Sequence, residues 1–68
     1  MKLVFIIPTY NERENIVTLL TALRRVMKNV SGYRVSYLVV DDNSPDGTQE
    51  VVATYQRTHP DVFILSGK

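Results

Sequence analysis

The chain has 68 residues, no cysteine, one histidine (His59), and eight basic against seven acidic side chains, a net charge of +1. A chain of that size makes at most one small domain and buries only about 60% of its unfolded surface. No disulfide or thiolate metal centre can staple it, and one histidine builds no zinc site alone. The near balance of mixed charges excludes a polybasic nucleic-acid or membrane surface, so ligands must be read from particular residues.

The apolar run before Pro8 is shorter than the roughly 7 to 15 residues of an export-signal core. No run approaches the ~20 apolar residues of a membrane helix. The expected location is the cytoplasm. Asn29-Val30-Ser31 matches the N-glycosylation pattern, but without a secretory signal it reads as a chance match.

In chain order, Lys2 to Ile7 is rich in β-branched and aromatic residues and stops at Pro8, which predicts a first strand. Leu3, Phe5 and Ile7 share one side and Val4 and Ile6 the other, so both faces are expected to be covered. Asn11 with Glu14 three residues later forms an Asn variant of a capping box and predicts a helix start. Ile16, Leu19, Leu20, Leu23, Val26 or Met27, and Val30 supply its apolar face. Arg24, Arg25 and Lys28 suit the negative end of its dipole, and Ser31-Gly32 is expected to end it.

Arg34 to Val40 predicts a second strand, with Tyr37 and Val39 on one face and Leu38 and Val40 on the other. Ser44 before Pro45, or Asp46 with Gln49, offers a cap for a second helix. Val51, Val52 and Tyr55 form its buried stripe, and His59-Pro60 closes it. Val62 to Leu65 is a third strand and Ser66-Gly67-Lys68 its exit. The order is β-α-β-α-β, an α/β unit whose right-handed crossovers make the strands parallel and put both helices on one side. The other face is then bare, and the chain reads as half of a doubly wound domain.

The stretch with most chemistry is Val39-Val40-Asp41-Asp42-Asn43-Ser44-Pro45-Asp46-Gly47-Thr48. A buried strand delivers two adjacent carboxylates to the end of the sheet where open α/β folds bind ligands. Like charges side by side repel unless a cation or a donor-rich ligand offsets them. The plainer reading is that both end the strand and help cap the next helix. The other two exits, Pro8 to Glu12 and Ser66 to Lys68, lie along the same edge. Tyr10 offers a ring for a base, and Asp42 or Glu12 accepts from base or ribose, since ionised carboxylates only accept. Glu14 and Asp46 read as capping or turn residues, His59 as a solvated helix end, and Tyr33, Tyr37 and Tyr55 as core or rim. Neither Gly-x-Gly-x-x-Gly nor Gly-x-x-x-x-Gly-Lys-Ser/Thr follows the first strand, which disfavours a dinucleotide fold or an ATPase.

Pro8-Thr9-Tyr10-Asn11-Glu12-Arg13-Glu14-Asn15-Ile16, together with the Val39 to Thr48 stretch, resembles the amino-terminal part of family 2 glycosyltransferases. The likeness is strongest to polyprenol (dolichol) phosphate mannose synthases and runs through essentially the whole chain. It implies a Rossmann-like half of a GT-A nucleotide-diphospho-sugar transferase domain, with residues 1–68 a single partial domain. It also implies transfer of mannose from GDP-mannose, with Mg or Mn, to polyprenyl or dolichyl phosphate at the cytosolic face of a membrane. By position in the motifs, Pro8, Tyr10, Glu12, Val40 and Asp42 contact the nucleoside, Asp42 reading the base edge, and Asp41 supports them. No catalytic or metal-binding residue is assigned. The family's Asp-x-Asp metal motif, acceptor site and phosphate-positioning groups are expected beyond Lys68, so the 68 residues alone are expected to be inactive.

Two other readings stand beside this one. A non-catalytic nucleotide-binding module, self-associating through the uncovered sheet face, predicts GDP or UDP binding without metal dependence. A phosphoacceptor receiver-like domain also uses acidic residues at strand ends. Its acidic pair should follow the first strand, where this chain has Pro8-Thr9-Tyr10.

Overall fold

The computed structural model describes residues 1–66. They form β1 (Lys2–Thr9), α1 (Ile16–Met27), β2 (Arg34–Asp41), α2 (Thr48–Thr58) and β3 (Val62–Ser66). β2 lies between β1 and β3, and both pairings are parallel. Of the expected third exit, Gly67 and Lys68 lie outside the described residues.

Alternation along the strands decides which side chains are buried. Ile7, Tyr37, Val39 and Val62 point from the sheet into the core, where they meet Ile16 and Leu20 of α1 and Val52 of α2. The Phe5 and Tyr37 rings stack at 5.7 Å between centroids. Both helices cover this one face. The other face keeps Val4, Ile6, Phe63 and Leu65 between 45% and 67% exposed. Ile6, Leu38 and Phe63 share one row across that open face, and Pro8, Val40 and Leu65 the next.

β1 runs through Pro8 instead of stopping before it. The ladder shows why Pro is tolerated. The carbonyls of Met1 and Thr9 accept from Arg34 and Asp42 of β2 and its exit, so odd-numbered residues of β1 aim their backbone groups at β2. Pro8 faces the unpaired outer edge, where its missing N–H costs nothing.

Both ends of α1 differ from the sequence expectation. It begins at Ile16, with Asn15 as N-cap and no side-chain capping bond, so Glu14 is not a cap. The preceding residues form a separate turn in which Asn15 and Ile16 both donate to the Glu12 carbonyl. The helix also closes earlier than Ser31-Gly32, with Lys28 as C-cap. Of the expected apolar face, Leu19, Val26 and Val30 are exposed, and the stripe that packs on the core is Ile16, Leu20 and Leu23. α2 matches its expected stripe and ends at Thr58 before His59-Pro60.

Candidate functional site

At the carboxyl end of the sheet, Thr9, Asp41 and Ser66 occupy one row across the three strands. Asp41 shares its side of β2 with Tyr37 and Val39 and is fully buried. Its Oδ1 accepts from the hydroxyls of Thr9 (2.8 Å) and Ser44. Its Oδ2 accepts from the Ser44 backbone N–H and the Gln49 amide, both at 2.8 Å. Burial alone would push this carboxyl up. The Ser44 hydroxyl and amide, with the Gln49 and Thr9 donors, outweigh burial and hold it down to about 2. Asp41 is therefore a fixed anion whose acceptor sites are filled from within the fold.

The same loop builds the loop after β1. Three successive backbone amides, those of Asn11, Glu12 and Arg13, donate to side chains of Ser44 (2.9 Å), Thr48 (3.1 Å) and Asp46 (3.1 Å). Asn11 takes φ 54° and Asn43 φ 53°, a left-handed geometry that Asn tolerates better than most residues. The expected capping box does not form, since the Asn11 N–H from which Glu14 would have accepted is bound by Ser44 and Asn11 itself takes a left-handed φ. Asp46 also accepts from the Thr48 N–H at 3.0 Å, but the N-cap of α2 is Gly47, in a left-handed conformation and without a side-chain capping bond, so neither Ser44 nor Asp46 is the expected cap. The Thr48 hydroxyl, with the Arg13 and Thr48 amides, holds its carboxyl below the ordinary value.

Of the expected nucleoside residues, Pro8 and Val40 are neighbours across the β1–β2 ladder on the open face. Tyr10 and Asp42 follow at the two strand tips, where the Asp42 N–H donates to the Thr9 carbonyl at 2.9 Å. Both side chains are exposed, Tyr10 to 56%. Glu12 is half-buried on the adjoining loop. The adjacent carboxylates thus divide: Asp41 turns inward to the helices, and Asp42 projects from the edge. Among the described residues no three His, Asp or Glu side chains converge as a metal requires, and the acceptor sites of Asp41 are already taken. The described residues do not by themselves fit a metal site.

Sequence reasoning missed the work of Thr9, Thr48, Gln49 and Ser66. Gln49, read as the far end of a cap, instead lies between Asp41 and Ser66, whose hydroxyl donates to Gln49 Oε1 at 3.0 Å. Only the period-2 parity of Thr9 and Asp41 with buried neighbours signalled any of this. His59 is not simply solvated. It is half-buried, stacks on Tyr55 at 3.8 Å and places Nδ1 2.9 Å from the Tyr55 carbonyl. Two shallow grooves lie elsewhere, one between α1 and α2 and one near the Arg24–Asp61 ion pair.

Residues 4–68 match the model of the family described as Glycosyl transferase family 2. The chain belongs to that family, and its parallel β-α-β-α-β unit is consistent with the Rossmann-like half of a GT-A domain. It is 42% identical over 60 residues to a dolichol-phosphate mannosyltransferase of Pyrococcus furiosus, covering 88% of this chain and 16% of that protein. It is likewise 42% identical over 60 residues to glycosyltransferase AglE of Haloferax volcanii, covering 88% and 19%. With an undecaprenyl-phosphate mannosyltransferase of Micrococcus luteus it shares 40% over 65 residues, covering 96% and 25%. The chain thus spans a quarter or less of the length of these curated relatives. No solved structure gave a significant match. No helix among the described residues is long and apolar enough to cross a membrane.

Proposed function

We propose that this chain forms the nucleoside-binding part of a glycosyltransferase that moves mannose from GDP-mannose to a polyprenyl or dolichyl phosphate. The observation that carries the reading is the division of the two carboxylates. Asp41 is consumed inside the fold, which leaves Asp42 beside Tyr10 at the edge where parallel sheets take ligands. In this reading the Tyr10 ring lies against the base, the Asp42 carboxylate accepts from the base edge, and Pro8, Val40 and Glu12 line the nucleoside. The names of two relatives support mannose as the sugar and a polyprenyl phosphate as the acceptor. Mg or Mn is the proposed cofactor, with ligands outside residues 1–68, and the enzyme works at the cytosolic face of a membrane. The 68 residues alone bind the donor without turning it over.

The second reading, a non-catalytic nucleotide-binding module that self-associates, is favoured by one observation, the open apolar face around Ile6 and Phe63. Calorimetric titration with GDP and UDP, together with the mass of the chain measured over a range of concentrations, separates the readings. The first expects GDP to be preferred and binding to be lost in Asp42→Ala, a change that leaves the buried network intact. The second expects binding together with a concentration-dependent mass. A folded chain that binds neither nucleotide would remove both.

A further inference from the structure

Gln49 lies in the first turn of α2 and uses both ends of its amide at once. Nε2 donates to Asp41 Oδ2 at 2.8 Å, and Oε1 accepts from the Ser66 hydroxyl at 3.0 Å. The polarity is strict. A carboxylate needs a donor and a hydroxyl proton needs an acceptor, so an amide in this orientation serves both, whereas the flipped amide would set two oxygens against each other.

Thr9, Asp41 and Ser66 stand in one row of the sheet. Thr9 reaches Asp41 directly, and Gln49 supplies the link from Asp41 to Ser66. Through that link the three strand exits share one hydrogen-bonded chain, and Asp42 is the next residue after its central member.

We infer that Gln49 is a positioning residue for nucleotide binding, fixing the Asp41 carboxylate, and with it Asp42, relative to the exit of β3. The inference rests on the nucleoside reading of Asp42. Gln49 itself does not touch the nucleotide. Its amide restrains the backbone that presents Asp42, so ligand affinity depends on the chemistry of a side chain one layer behind the ligand.

Replacement of the amide by a carboxylate gives this role a signature that loss of bulk does not. In Gln49→Glu, two carboxylates face each other at neutral pH and repel, and the proton affinity of the introduced carboxylate is raised. Once protonated, the introduced carboxyl regains a donor for Asp41. GDP affinity measured by calorimetry from pH 8 to pH 5, with circular dichroism to verify the fold at each pH, is the test. In the wild type Asp41, held down to about 2, stays ionised throughout this range and gives the reference profile.

The expected result is binding about tenfold weaker than wild type for Gln49→Glu at pH 8, with the gap closing toward pH 5. Gln49→Leu, of similar size and without charge, is weakened at every pH. Should Gln49→Glu fail to fold, wild-type affinity in folded Gln49→Leu would still overturn the inference, and so would wild-type affinity at pH 8 in a folded Gln49→Glu. If the wild-type chain binds no nucleotide, the nucleoside reading fails and takes this inference with it. If the wild type binds and both variants match it, only the role of Gln49 fails.

Discussion

Thr9 and Asp41 face each other across the β1–β2 ladder, and the Thr9 hydroxyl donates to Asp41 Oδ1 at 2.8 Å inside the core. This contact joins the strand before the first loop to the strand before the second. A buried carboxylate is tolerable only when its acceptor sites are filled, and here donors from β1, the second loop and α2 fill them. The loops are therefore part of the stability of the unit as well as its ligand edge.

Asp41→Ala removes the anion and strands the Thr9, Ser44 and Gln49 donors in a buried setting. The expected loss is about 2 to 4 kcal/mol in urea unfolding, enough to unfold a chain this small. Asp42→Ala, at an exposed position, is expected to stay within about 0.5 kcal/mol of wild type. Equal effects of the two changes would contradict the division of labour between these neighbours.

The Asp41 carboxyl is held down to about 2 from an ordinary 3.8. Because its folded value is depressed, its contribution to stability is complete above the unfolded value and disappears as pH falls from about 4 toward 2. Stability followed by circular dichroism and urea unfolding should drop across that window in the wild type. Asp41→Asn should start lower and lack this part of the decline; an identical acid profile in the two proteins would refute the assignment.

Gly47 and Gly32 offer a paired test, since both have left-handed φ, +92° and +88°. A Cβ at Gly47 would sit 3.3 Å from Arg13 Nη1, whereas at Gly32 nothing lies within 4 Å. Each change to Ala should cost about 1 kcal/mol for the backbone alone. Gly47→Ala should cost more and loosen the Arg13 hold on the Asp46 carbonyl. Chemical denaturation of both variants measures the difference, which vanishes if the Arg13 contact is unimportant.

Ile6 is 67% and Phe63 45% exposed on the open sheet face. Ile6→Lys combined with Phe63→Lys should leave the thermal midpoint of the isolated chain nearly unchanged. If copies associate through this face, sedimentation should show the mass falling to that of a single chain. Persistent association in the double variant would move the contact to another surface.

Much of this architecture is legible in the residues, and the failures have non-local causes. Parity alone separates Asp41 from Asp42: the first continues the buried series Tyr37 and Val39, the second the series Leu38 and Val40 on the open face. Pro8 reads as a terminator because its edge position is a property of strand order, which β1 does not encode by itself. The capping box at Asn11 is sound locally and loses to acceptors that stand more than thirty residues away. Gln49 and Ser66 become partners only through the register of β2 with β3, so no local pattern announces them.

The Asp41 network also bears on how the chain reaches its native state. Thr9 lies thirty-two positions before Asp41, while the Gln49 donor comes from the second crossover and is itself engaged by β3. Parallel strands cannot pair until their crossovers close, so these contacts are costly in loop entropy and form slowly. A half-assembled unit, with only one crossover docked, would bury the carboxylate without its full set of donors. Sequestering this charge thus couples the two β-α-β halves and penalises partly folded forms.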